Sequence, residues 1–145
     1  MRYVYPVAMK RDEDGEYVVT ARDVPEAITS GKSEREALQE MSEALGAALA
    51  GYAQEGREVP LPSDACPGEH LVPVAPLVAA KLALRAAMRS ENVTNVELAR
   101  RMGVSEGAVR RLMNPDHASR LDGVVAALAA LGRGIIIEDQ KQDAA

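Results

Sequence analysis

The sequence predicts two small domains in series: an α+β sandwich over residues 1–75 and an all-α domain over residues 76–145. Three observations predict this division. Short β-rich segments broken by turn residues occupy the first 31 positions. The second half is Ala/Leu-rich at helical spacing, with repeated Ser/Thr caps. The charge also changes sign: residues 1–68 hold 7 Lys/Arg against 13 Asp/Glu, a net −6, whereas residues 69–137 hold 9 against 6, a net +3. Residues 138–145 add −2, so the whole-chain value of −5 hides a basic half.

Arg2 to Met9 is rich in β-formers and reads as a strand, with Pro6 pointing to an edge position or a bulge. Asp12-Glu-Asp-Gly15 is a turn, and Tyr17 to Ala21 completes an antiparallel hairpin. Asp23-Val-Pro25 breaks the chain, and Ala27 to Ser30 is a short third strand ending at Gly31. Ser33-Glu-Arg-Glu36 fits a capping box, which starts a helix. Ala37, Leu38, Met41, Ala44, Leu45, Ala48, Leu49 and Tyr52 form its apolar face, and Gly56 ends it. Residues 57–68 are Pro/Gly-rich, and His70 to Val74 reads as a last strand, giving βββα(β).

The second half reads as four helices: Val78 to Arg89, Thr94 to Met102, Ser105 to Met113 and Ser119 to Leu131. Thr94 with Glu97 forms a second capping box, and Ser119 with Asp122 is a cap for the last helix. Ile135 to Ile137 is a β-prone run suited to pairing with its own copy, and the tail from Glu138 is polar and frayed.

Composition excludes several functions. With no Phe or Trp the core is aliphatic, so a domain of this size gains from oligomerisation. The single Cys66 allows neither an intramolecular disulfide nor a Cys-rich zinc site, and its Pro/Gly-rich surroundings read as a linker. No signal peptide or membrane span is visible, so a cytoplasmic protein that does not engage membranes is expected. His70 is the only histidine of the first domain, no phosphate loop occurs, and the acidic residues read as a turn and a solvated helix start. No catalytic group, cofactor or metal is expected.

Residues 94–113, TNVELARRMGVSEGAVRRLM, carry the nucleic-acid signal. Leu98 and Ala99 face inward, Gly103 stands at a tight turn, Val104 fills the space between helices, Ser105 caps the second helix, and Val109 and Leu112 return to the core. This pattern resembles the helix-turn-helix of the XRE, phage-repressor-like family. The positions that would face a groove are Ser105, Glu106, Gly107, Arg110 and Arg111, with Asn95, Arg100 and Arg101 placed for phosphates. Arg111 shares the outer face of Glu106 and Gly107, which assigns it to bases and Arg110 to phosphate. The alternative is a plain dimerisation bundle whose arginines are merely solvated.

Asp23-Val-Pro-Glu-Ala-Ile-Thr-Ser-Gly31, Ser33, Glu36-Ala-Leu38 and Gly56-Arg-Glu-Val-Pro-Leu-Pro-Ser63 together resemble the HicB antitoxin family, in its helix-turn-helix branch. The resemblance implies a degenerate RNase H-like first domain. It also implies a HicA-type toxin partner, a small basic mRNA-degrading enzyme, and autorepression at operator DNA by a homodimer or dimer of dimers. Candidate toxin-contacting residues are Tyr17, Asp23 and Glu26. An acidic first domain suits a basic partner. The rival readings are a stand-alone transcription regulator with a sensing first domain, and an active RNase H-like nuclease.

Overall fold

The computed structural model describes residues 1–141. Among them the chain is α+β, with one four-stranded antiparallel sheet and five helices. It divides into two compact units: Met1–Ala75 together with Gln140 and Lys141, and Pro76–Asp139.

In the first unit the sheet order is β3-β2-β1-β4, built from β1 (Val4–Arg11), β2 (Tyr17–Thr20), β3 (Ile28–Gly31) and β4 (His70–Pro73). The register is set by alternation: Met9 lies opposite Val19 and Val19 opposite Thr29, so each strand turns one face inward. Asp12 closes the β1–β2 turn, its Oδ1 accepting from the amides of Asp14 and Glu16 at 2.9 Å each. Helix α1 (Glu34–Gln54) packs on β3, β2 and β4 and buries Leu38, Met41, Leu45 and Leu49, while the sheet buries Tyr5, Val7, Val19 and Val72. Each such side chain stabilises the fold by roughly 1.5–3 kcal/mol. Ala44 and Ala48 are only half-buried; Gly46, Ala50 and Ala53 take those places on the buried face.

The expected edge position of Pro6 needs correction, because β1 is an inner strand. Its two partners cover different halves, Val4 to Val7 facing β4 and Ala8 to Arg11 facing β2. Pro6 therefore lies where β1 is paired on one side only, which is where a residue without an N–H is tolerated. Gly31 is required for packing: a Cβ there would stand 2.5 Å from the Ala37 amide nitrogen. Ser33 caps α1 by accepting from the Glu36 amide at 3.1 Å, and Glu36 reaches back to the Lys32 amide, one residue before the cap.

The second unit holds α2 (Pro76–Glu91), α3 (Asn95–Met102), α4 (Glu106–Met113) and α5 (Leu121–Ala130). Pro76 opens α2 at the position where a missing N–H costs nothing. Leu84, Met88, Leu98, Ala99, Val109, Val124, Ala127 and Leu128 form one aliphatic core. Thr94 Oγ1 and Ser105 Oγ cap α3 and α4, each at 3.1 Å. Gly103 ends α3 in the left-handed region at φ 68°, which lets the Val104 amide donate to Ala99 O at 3.0 Å.

Two expectations fail here. Val104 does not fill the space between helices; its side chain is exposed, and Met102 and Leu112 pack on the core instead. Ser119 does not cap the last helix, which starts at Leu121 after an Arg120 that makes no side-chain cap. Ile135 packs on the core, while Ile136 and Ile137 are exposed.

The displaced Ser119 has a physical cause. Lys81 is fully buried, and its ammonium donates to Arg111 O at 3.2 Å, Asn114 O at 2.7 Å, His117 O at 2.6 Å and Ser119 Oγ at 2.8 Å. It satisfies carbonyls at the negative end of α4 and pins the connection to α5. Burial pushes its pKa down, and the Asp116 carboxylate partly opposes this.

Candidate functional site

Two clusters of polar side chains stand out, one in each unit. In the first, Asp23 follows β2 in the turn opened by Ala21 and accepts from the Ser63 amide at 2.8 Å and from Ser63 Oγ at 2.7 Å. Arg22 beside it donates to Glu69 at 3.0 Å and to Ser63 Oγ. The Arg22 guanidinium and the Cys66 amide hold the Glu69 carboxyl down at about 2. Tyr5 OH donates to Pro60 O at 2.6 Å, and burial pushes the Tyr5 phenol up. These bonds stitch the Pro-rich segment 57–69 onto the sheet.

The candidate contact residues of this unit are thus differently placed. Asp23 is mostly occupied by Ser63, with its side chain 15% exposed. Glu26 is exposed but accepts from Tyr52 OH at 2.8 Å, and its own backbone amide and then that hydroxyl lower its pKa. Arg57 stacks over the Tyr52 ring at 4.1 Å. Tyr17, half-buried at the start of β2, has Arg11 over its ring at 5.2 Å. Glu26 joins Tyr52 and Arg57, Asp23 joins Ser63 and Arg22, and Tyr17 joins neither group.

The second cluster lies on α3 and α4. Arg100, Arg101, Ser105, Glu106, Arg110 and Arg111 are all exposed, while Asn95 and Gly107 are half-buried. Glu97 binds Arg100 at 2.6 Å and Arg101 at 3.0 Å, and the two guanidiniums hold its carboxyl at about 2. Glu106 binds Arg110 at 3.1 Å. Arg111 has no ion pair among the described residues. The side chains of Arg110, Arg111 and Ser105 gather beside Gly107, within 4.0 Å of where its Cβ would stand. The arrangement presents cations and a hydroxyl on one capped helix and suits polyanion binding. Among the described residues no group of His, Cys, Asp and Glu is placed to hold a metal ion, and no helix is long and apolar enough to cross a membrane.

Residues 4–83 match the family model for the HicB-like antitoxin of bacterial toxin–antitoxin systems, more than half of the chain. The chain belongs to the HicB-like antitoxin family. Similarity extends beyond the matched segment. Over 129 residues the chain is 36% identical to Antitoxin HicB of Escherichia coli strain K12, covering 89% of this chain and 94% of that protein. It is 37% identical over 129 residues to Antitoxin HicB 2 of Photorhabdus laumondii, with 89% and 91% covered. It is 33% identical over 128 residues to Antitoxin HicB of Pseudomonas fluorescens, with 87% of each chain covered. These relatives are named as antitoxins, not enzymes, and the role of an antitoxin implies a toxin partner.

For this antitoxin, sequence reasoning overlooked the Arg22–Glu69 pair and Lys81. Neither has a local signal: the first joins residues 47 apart and the second reaches acceptors 30 to 38 residues away.

Proposed function

We propose that the chain neutralises a HicA-type toxin through residues 1–75, read as a degenerate RNase H-like domain, and represses its own operon through residues 76–145. The second domain reads operator DNA as a helix-turn-helix of the XRE type, acting as a homodimer or dimer of dimers. Arg111 contacts bases, Arg110, Arg100 and Asn95 contact phosphates, and Ser105, Glu106 and Gly107 line the same face. Tyr17, Asp23 and Glu26 border the toxin surface.

The observation that carries the DNA half is the joining of α3 and α4. Three residues, Gly103, Val104 and Ser105, separate the helices, and both helices are capped by their own side chains. The second helix then exposes Ser105 and Glu106 at its start and both arginines, as a groove-reading helix must. The toxin half rests on family membership and on the acidic balance of residues 1–68, which speeds encounter with a basic partner. Co-expression of the chain with the adjacent gene product, followed by a growth assay and pull-down, tests the toxin half. Gel-shift titration on the DNA upstream of its own gene tests the repressor half; equal affinity for that DNA and a scrambled fragment would remove it.

A further inference from the structure

Most glycines of this chain have a reason inside the fold. Gly31 lies against the backbone of α1, Gly103 has φ 68°, and a Cβ on Gly123 would come within 3.3 Å of Leu112 Cδ2. Gly107 has none of these reasons. It is the second residue of α4, and its φ is not in the left-handed region. An added Cβ would meet only Arg111 Nη1 at 3.7 Å, Ser105 Oγ at 3.9 Å and Arg110 Nη2 at 4.0 Å, all ordinary contacts with polar side-chain ends. Glycine destabilises a helix relative to alanine, by up to about 1 kcal/mol in a helix interior and by less in the first turn, where Gly107 lies. Gly107 therefore carries a stability cost for which the fold shows no return. Gly51 of α1 is equally unconfined, but no atom lies within 4 Å of its added Cβ. Gly107 differs in having two guanidiniums and a hydroxyl gathered on it.

We infer that Gly107 is the point of closest approach of α4 to the floor of the DNA major groove. This deepens the DNA-binding reading above and rests on it. Without a Cβ the helix backbone comes flush against a base-pair edge. The Arg111 and Arg110 side chains swing off the glycine to either side, Arg111 toward base acceptors and Arg110 toward a phosphate. The Gly107 amide is among the first N–H groups of α4, which have no intrahelical acceptor and point out of the helix end. A methyl group at this position holds the helix away from the groove floor and weakens base reading, while phosphate contacts made by longer side chains persist. Gly107 is a specificity-determining residue by virtue of what it lacks.

The test uses the full chain, its own upstream DNA and a scrambled fragment of equal length. Gly107→Ala should raise the melting temperature by a few degrees. Its affinity for the upstream DNA should fall at least about tenfold, with affinity for the scrambled fragment changed less than about twofold. Gly51→Ala, the control, should also raise the melting temperature and leave both affinities alone. A Gly107→Ala protein that is more stable and binds the upstream DNA as the parent does would overturn the inference. So would a less stable one, since the fold would then need the glycine. A parent protein that does not discriminate between the two DNAs removes the DNA-binding reading itself, and with it the inference.

Discussion

Lys81 shows how one side chain organises the end of α4. Replacing it with methionine keeps the aliphatic volume but leaves Arg111 O, Asn114 O, His117 O and Ser119 Oγ without their shared donor. Hydrogen bonds from a charged donor contribute about 1.5–3 kcal/mol, and the amides of Asn114, His117 and Ser119, which still donate to Arg111 O, Asn114 O and His117 O, limit the loss. Lys81→Met should therefore destabilise the Pro76–Asp139 unit by about 3 kcal/mol, read as a lowered midpoint in urea titration. In the other unit Glu69 makes the matching prediction in pH. Its folded pKa is depressed to about 2 by Arg22, so its contribution is fully present above the ordinary glutamate range. That contribution fades as pH falls from about 4.5 toward 2, because the unfolded chain takes up the proton first. Melting curves across this window should show a shallower acid decline in Glu69→Gln than in the parent; identical slopes would mean the pair contributes nothing.

The two arginines of α4 differ in a way that matters for DNA. Arg110 is held by Glu106 at 3.1 Å, whereas Arg111 has no ion pair among the described residues. Arg111 is thus free to enter a base contact without first exchanging a carboxylate. Arg111→Ala should cost roughly 1–3 kcal/mol and relax preference at one operator position. Arg110→Ala should weaken all sequences about equally and lower the salt slope. A panel of operator variants separates these, and a change of base preference in Arg110→Ala alone would reverse the assignment. At this scale the sequence was legible where the signal is local. Ser33, Thr94 and Ser105 cap helices because each acts on an amide three residues on. It was illegible where distant partners compete: Ser119 had the local form of a cap and went to Lys81, 38 residues away. Asp23 read as part of a chain break and as a toxin-contact candidate, and it is bonded to Ser63 across 40 residues. Val104 misled for another reason, since the turn at Gly103 directs it outward and polar exposure cannot be read from hydrophobicity alone. The candidate DNA residues were legible as a surface because helical spacing fixes which positions share a face.

The hydrogen bonds next to Ala75 lie within the first unit. On one side Ser42 Oγ donates to Pro73 O at 2.7 Å and the Val74 amide donates to Tyr3 O at 2.9 Å, so β4 is held entirely within the first unit. On the other side Pro76 opens α2 and has no N–H to lose. A fragment of residues 1–75 keeps all four strands and α1, and it loses the exposed bond from Gln140 Nε2 to Leu71 O. A fragment of residues 76–145 keeps the aliphatic core that joins α2, α3, α4 and α5. Both fragments should fold, by circular dichroism. The first should restore growth to cells expressing the toxin, because the acidic balance and the motif-bearing residues all lie within it. The second should bind operator DNA with the steeper salt dependence, since the fragment leaves behind the −6 that opposes phosphate in the whole chain. Its affinity should lie below that of the whole protein. Should residues 1–75 fold yet fail to protect cells, toxin contact would extend into the helical half, and the family match, which runs on to residue 83, would mark where to lengthen the fragment.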